Sequence, residues 1–482
     1  MRVPGRADLV LLVLLGLHVL LQVLMLQHSS DAVPIGDEKA YADGARSLSN
    51  ALRDLGSFVP PDVADLERHV VGNGWFMPGM SVLLTPLFLV LPDASVEAFR
   101  VYLGLLSTGL FLYAALQVRR VLGPAAALCF AVLPGLVPAV ALFGIGAWGD
   151  LNAGLVLVVV LLRAVELARV VAAGSAPTPW RVMGLAGWAV AALYLRSSLM
   201  PVLVTLGLLA VATALVALRG PERRRAVLAG VAGIVVFVLV LLPWSVLAST
   251  SLGGRVITTT SVPLALANTF GDRDEICFGP CDPAGTIWFN PVQYSREVAR
   301  ATGRSELEVQ EQMSAYARRD VTSRGYAEDV LENLERYRTE PAYYLDHLPY
   351  DRETDGFEDA SRDATDRFFA LGTIVVVLAM LLVSRGPRDR QVQLVLVKVA
   401  LGGLLLQPFV HMTGSRYWTT AAAVAGLALG VLVTWGLDLL RSLREPRPGE
   451  ESPRAGLRSL TVLQALLALG AVGTLVGLHL LA

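Results

Sequence analysis

Of the 40 basic residues in this 482-residue chain only Lys39 and Lys398 are lysine, and no more than 17% of all residues carry a charge. The near absence of lysine reads as the bias of a GC-rich coding sequence and says nothing about mechanism. The shortage of charge says more. With 54% hydrophobic residues and a mean hydropathy of +0.57, the chain is too apolar for a soluble protein of this size, which leaves a polytopic membrane protein. Cysteine is scarce as well: three residues cannot build a disulfide scaffold. Cys277 and Cys281 lie close together in a long polar stretch, as a disulfide if that stretch is extracytoplasmic or as two free thiols, while Cys129 sits in an apolar run as a packing residue. The polar stretch holds no nucleotide-binding glycine loop, no HExxH and no CxxC. The net charge is −1, and no nucleic-acid partner is expected.

What is present is a series of long apolar runs. The first, near 8–28, follows Arg2 and Arg6 and lacks a small-residue cleavage site, so it reads as an uncleaved anchor with a cytoplasmic N-terminus. Further spans are expected near 96–118, 123–143, 147–170, 181–195, 199–218, 226–248, 367–384, 391–410, 416–440 and 458–481. The run Met80–Leu91 is too short for the roughly 20 residues of a crossing helix and is expected to be re-entrant or interfacial. This makes about 11 transmembrane helices, an all-α integral membrane protein. Arginine placement supports that count, because it puts Arg119-Arg120, Arg169 with Arg181, Arg219 with Arg223–Arg225, Arg385 with Arg388 and Arg390, and Arg441, Arg444, Arg447 and Arg454 on the cytoplasmic side. Counting 80–91 as a span would invert every later loop. Trp148, Trp244 and Trp418 then fall near outer span ends and Trp180 near an inner one, as an aromatic belt.

The chain divides into an N-terminal membrane module, 1–250, with its first outer loop at 29–95; a mainly helical extracytoplasmic cap, 251–366; and C-terminal membrane helices, 367–482, with a cytoplasmic linker at 441–457. In the first outer loop Tyr41, Ala45, Leu48, Leu52 and Leu55 recur at helical spacing before Pro60-Pro61, which predicts an amphipathic helix. In the cap, Ser305 with Glu308 forms a capping box, Tyr316, Val321, Tyr326, Val330, Leu334 and Tyr337 mark an apolar face, and Pro341 is placed to start another helix.

On this topology Asp37, Glu38, Asp150, Arg196, His411 and Arg416 all reach the outer face from separate parts of the sequence. Each has a plain reading: the carboxylates suit helix N-termini, the arginines can snorkel to headgroups, and the histidine can be a structural hydrogen-bonder. Glu166, between Arg163 and Arg169, reads as a helix-face ion pair. Together the outer groups describe a site for a lipid-borne anion and a hydroxyl to be deprotonated, since arginine forks match phosphate and a carboxylate can serve as base.

The sequence Asp37-Glu38-Lys39-Ala40-Tyr41 after the first span, followed by Trp75-Phe76-Met77-Pro78-Gly79, Gly149-Asp150, Leu195-Arg196-Ser197 and Ser415-Arg416-Tyr417, resembles the GT-C glycosyltransferases. These include protein O-mannosyltransferases, aminoarabinose transferases, and actinobacterial mannosyl- and arabinosyltransferases of the cell envelope. The resemblance implies inverting transfer of a sugar from a polyprenyl-phosphate donor to a glycan, lipid or protein acceptor at the extracytoplasmic face of the cell membrane. It implies Asp37 as general base with Glu38 beside it, Asp150 at the acceptor or a metal, Arg196 and Arg416 with Tyr417 at the donor phosphate, and Tyr41, Trp75 and His411 lining the pocket. A divalent cation serves some members of the family and not others, and the scattered carboxylates set out no ligand set here. The chain departs from several relatives in having one proline in Met77-Pro78-Gly79. Two other readings stay open: a transporter or flippase for a lipid-linked glycan, and a polysaccharide polymerase or ligase.

Overall fold

In lipid a backbone must satisfy its own polar groups, and the apolar runs do so by coiling into helices. The computed structural model describes residues 5–270, 289–339, 355–411, 415–444 and 455–482, and among them there is no strand. In chain order the helices are α1 (Arg6–Ser29), α2 (Asp37–Gly56), the single turn α3 (Val63–Leu66), α4 (Gly79–Val90), α5 (Val96–Leu122), α6 (Pro124–Val132), α7 (Pro138–Gly144), α8 (Asp150–Ala172), α9 (Pro179–Leu195), α10 (Met200–Ala217) and α11 (Gly220–Leu252). The cap contributes α12 (Ser261–Phe270), α13 (Phe289–Thr302), α14 (Glu306–Ala317) and α15 (Ser323–Thr339), before α16 (Asp355–Leu381), α17 (Arg388–Leu404), α18 (Ser415–Arg444) and α19 (Ala455–Leu481). Eight helices among the described residues are long and apolar enough to cross a membrane: α1, α5, α10, α11, α16, α17, α18 and α19. The protein is a multi-pass, all-α membrane protein.

The other three expected spans differ from one another. The span expected at 147–170 is the continuous α8, 23 residues beginning at Asp150, whose Leu151–Leu162 stretch is buried on every side, and the one expected at 181–195 lies within the 17-residue α9. Residues 123–143 are not a single helix. Pro134 and Pro138 each remove a backbone N–H and clash with the preceding turn, so α6 stops at Val132 and α7 restarts with Pro138 in its first turn. Backbone groups of this break and of the short α7 are met by buried side chains. Gly135 O bonds His18 Nδ1 at 2.7 Å, Ala141 O accepts from Gln22 Nε2 at 2.9 Å, and Gly144 O accepts from Ser107 Oγ at 2.8 Å. The Ala139 N–H donates to Thr365 Oγ1 at 3.2 Å. Side chains of α1, α5 and α16 thus seat a non-helical link that the sequence alone presents as a uniform apolar run.

Small residues let the backbones close on one another around that link. A Cβ on Gly426 of α18 would lie 1.8 Å from Leu133 O, and one on Gly154 of α8 would lie 2.6 Å from Thr420 O. Among the short helices, α4 spans only about 18 Å at 1.5 Å per residue, too little for a bilayer core of about 30 Å. It lies along α2 instead, where Ser81 Oγ donates to Tyr41 O at 3.1 Å and Gly44 leaves no room for a side chain. Of the apolar face that the spacing predicts, α2 buries Tyr41 and Ala45 and half-buries Leu48, but Leu52 and Leu55 near its end are exposed, as are Lys39, Arg46 and Asn50.

Ion pairs tie the helices together at the end remote from Asp37. Asp8 pairs with Arg119 (2.7 Å), Arg120 with Glu166 (3.0 Å), Arg169 with Asp389 (2.7 Å) and Arg390 with Asp438 (2.9 Å), which links α1 to α5, α5 to α8, α8 to α17 and α17 to α18. Glu166 also meets Arg163 at 3.2 Å on its own helix.

Several expectations need correction. Trp148, Trp244 and Trp418 are buried among protein side chains and do not face lipid as a belt; only Trp180 of the four is exposed. The cap is helical already at Ser261, well before Ser305, and its expected boundary at 366 falls inside α16, which runs unbroken into the span. Ser305 Oγ does accept from Glu308 N (3.2 Å), but the apolar face beyond it is divided between α14 and α15, with Val330 buried and Tyr316 exposed. That face packs on the far end of α19 through Phe270, Ala327, Val330 and Leu478. Cys277, Cys281, Pro341 and most of the 441–457 linker lie outside the described residues.

Candidate functional site

The expected site residues gather at one end of the bundle, on the links between helices and the helix starts that follow them. The first link is the α1–α2 turn. Gly36 adopts φ +52°, a conformation costly for other residues, and lets the chain reverse into α2 with Asp37 half-buried in its first turn. Glu38 is buried. Its carboxylate meets Arg100 of α5 through two bonds, Nη1 to Oε1 at 2.5 Å and Nη2 to Oε2 at 2.9 Å, and Oε1 also accepts the Ala147 N–H at 2.8 Å. The carboxylate beside Asp37 is therefore committed to protein groups, and it bonds α2 to the link that leads into α8.

The second link, 145–149, delivers Asp150. Gly149, at φ +76°, sits where a side chain would strike Leu195 O and Met80 Cγ, each at 3.0 Å, so the starts of α8 and α4 and the end of α9 meet there. Asp150 opens α8, is buried and forms an ion pair with Arg196; its carbonyl accepts from Thr420 Oγ1 of α18 at 2.9 Å. The third link follows α9. Arg196 lies over the Tyr417 ring at 4.3 Å and donates through Nε to Ser198 Oγ at 3.0 Å. His411 meets Tyr417 edge-on at 5.4 Å. Asp150, Arg196, Tyr417 and His411, drawn from four places in the sequence, thus form one contiguous row. Arg416 lies in the first turn of α18, with its side chain outside the described residues.

Tyr41 is buried against Phe76 at 5.2 Å, and Trp75, beside Phe76, is half-buried. The cap fixes that segment. Thr260 donates through N to Gly74 O (2.9 Å) and through Oγ1 to Asn73 O (2.8 Å), Gln310 Nε2 reaches Asn73 O at 3.2 Å, and Arg296, paired with Glu306 at 3.0 Å, donates to Gly72 O. Among the described residues no group of three or more His, Cys, Asp or Glu side chains is placed to hold a metal ion.

Arg100 and Thr420 were not anticipated. Thr420 carries no sequence signal. Arg100 carries one: an arginine four residues into a span, at the end away from the arginine-rich loops.

The arrangement offers a half-buried carboxylate at a helix start and, on links bonded to the same framework, a guanidinium oriented by a carboxylate, a hydroxyl and an aromatic face. Chemically such groups suit proton abstraction by the carboxylate and the holding of an anion by the guanidinium.

No protein-family model and no curated protein sequence matches the chain. Solved structures with similar arrangements include the oligosaccharyltransferase AglB of Archaeoglobus fulgidus in complex with an inhibitory peptide and a dolichol-phosphate, at 14% identity and a TM-score of 0.42 over 97% of this chain. An apo structure of the oligosaccharyltransferase from the same organism matches at 12% identity and a TM-score of 0.46 over 98% of this chain. This chain spans about half the length of those proteins, 55% in each case. At these scores neither likeness bears on activity.

Proposed function

We propose that this protein is a membrane glycosyltransferase of the GT-C kind, moving a sugar from a polyprenyl-phosphate donor to an acceptor hydroxyl at the extracytoplasmic face, with inversion. The observation that carries the reading is the convergence of Asp37, Asp150, Arg196, Tyr417 and His411 on one end of a multi-pass bundle, with the arginine held by three separate partners. Asp37 accepts the acceptor hydroxyl proton as that oxygen attacks the anomeric carbon from the face opposite the phosphate. The anomeric carbon–oxygen bond breaks, and polyprenyl phosphate departs with the electron pair. Arg196, lying over Tyr417, stabilises the charge on the leaving phosphate together with Arg416, the chain neighbour of Tyr417. Asp150 acts by orienting Arg196, a different role from the place at an acceptor or a metal that the resemblance implies. Tyr41, Trp75 and His411 shape the pocket.

The test is a transfer assay with purified protein and a panel of labelled polyprenyl-phosphate sugars. Turnover of at least one donor with inverted stereochemistry is the expected outcome; turnover with retention would rule out the single-displacement chemistry. Lack of turnover of every donor, in the presence of membrane extract as acceptor source, would remove the reading.

A further inference from the structure

We infer that Arg100 is a positioning residue for the transfer site, setting the start of α2 and hence Asp37 against the link that ends at Asp150. The inference rests on those two carboxylates belonging to the site, as proposed above.

A guanidinium has five N–H donors in a rigid fork, and here all five are used. Nε donates to Ala32 O at 3.0 Å, Nη2 to Ala32 O at 2.7 Å and to Glu38 Oε2 at 2.9 Å, and Nη1 to Glu38 Oε1 at 2.5 Å and to Ile145 O at 3.0 Å. The side chain is fully buried, 0% exposed, and that of Glu38 is 2% exposed. Its partners decide what it specifies. Ala32 lies in the α1–α2 link, Glu38 in the first turn of α2, and Ile145 in the link before α8. Through Glu38 the same cluster takes the Ala147 N–H, three residues before Asp150.

Arg100 therefore joins the two segments that deliver the two carboxylates and anchors both to α5. A buried ion pair is a poor device for stability alone, because apolar side chains of similar volume do as well or better, whereas it does fix relative placement. Lysine cannot replace it: an ammonium has three donors and no fork.

The prediction separates positioning from bulk stability. Arg100→Lys and Glu38→Asp are made in the full-length chain, and kcat per folded molecule, donor KM and the unfolding midpoint are measured. Glu38→Asp keeps the charge and shortens the arm by one methylene, so it carries the test if Arg100→Lys does not fold. Displacing a reacting group by about 1 Å costs about 100-fold in rate, so kcat is expected to fall about 100-fold with donor KM changed by less than about threefold. A kcat within about threefold of the parent in the folded fraction, with only the midpoint or KM altered, would overturn the inference. Asp37→Asn runs in parallel. If that variant is inactive while both Arg100→Lys and Glu38→Asp keep full kcat, only the role of Arg100 fails; if it is fully active, the proposed base fails as well.

Discussion

Arg196 shows how a single side chain is prepared before any substrate arrives. Its charge is paired with Asp150, its face lies over Tyr417 and its Nε is held by Ser198. Arginine's planar fork is suited to all three contacts at once, which the compact ammonium of lysine is not. Arg196→Lys is therefore expected to raise the donor KM about tenfold, the loss of about 1.4 kcal/mol of charge-assisted bonding, while leaving the folded yield unchanged. Donor titration of the purified variant checks this; an unchanged KM would detach Arg196 from the donor. Asp150→Asn should move the same parameter in the same direction, because Asp150 acts through the guanidinium. At this scale much was legible in the sequence: Asp37, Asp150, Arg196 and Tyr417 stand out as polar groups at span ends. Arg100 was not, because an arginine near a span terminus reads equally well as a snorkelling side chain, and only the fold brings Glu38 to it across 62 residues.

Among the elements, the α6–α7 break is the least ordinary, and its environment supports a stability prediction. Gly426 lies against Leu133 with no space for a methyl group, whereas Gly470 of α19 has nothing within 4 Å of the place a Cβ would occupy. Gly426→Ala should lower the unfolding midpoint in detergent, with the cost of overpacking about 1–3 kcal/mol or more. Gly470→Ala should leave the midpoint unchanged or raise it, by up to about 1 kcal/mol from helix propensity. Equal midpoints for the two variants would contradict the packing of α18 on the break. The spans themselves were legible because apolar length is a direct signal. The break was not, although Pro134 and Pro138 mark it, since prolines are tolerated in membrane helices when neighbours satisfy the freed groups. Those neighbours are His18, Gln22, Ser107 and Thr365, distant in sequence from the break. The tryptophans were misread for a similar reason: position along a span gives depth but not the direction a side chain faces.

The whole molecule has two chemically distinct ends. One carries the row from Asp150 to His411 under the cap, and the other is crossed by exposed ion pairs from α1 to α18. Exposed pairs of this kind each contribute about 0–1 kcal/mol, so their meaning is more topological than energetic. The arginine excess at the ion-paired end predicts that it faces the cytoplasm. A reporter fused after Gly123 should report a cytoplasmic location and one fused after Asp93 an extracytoplasmic location; the reverse pattern would place the site on the wrong side for the proposed donor. Four buried polar side chains of the spans, His18, Gln22, Ser107 and Thr365, bond the backbone of the α6–α7 break and of the short α7. The central claim is that Asp37 takes the acceptor proton, and it is tested most directly by sugar transfer from a polyprenyl-phosphate donor catalysed by Asp37→Asn. Transfer should be abolished while donor binding persists near the parent affinity; transfer at the parent rate would contradict the account.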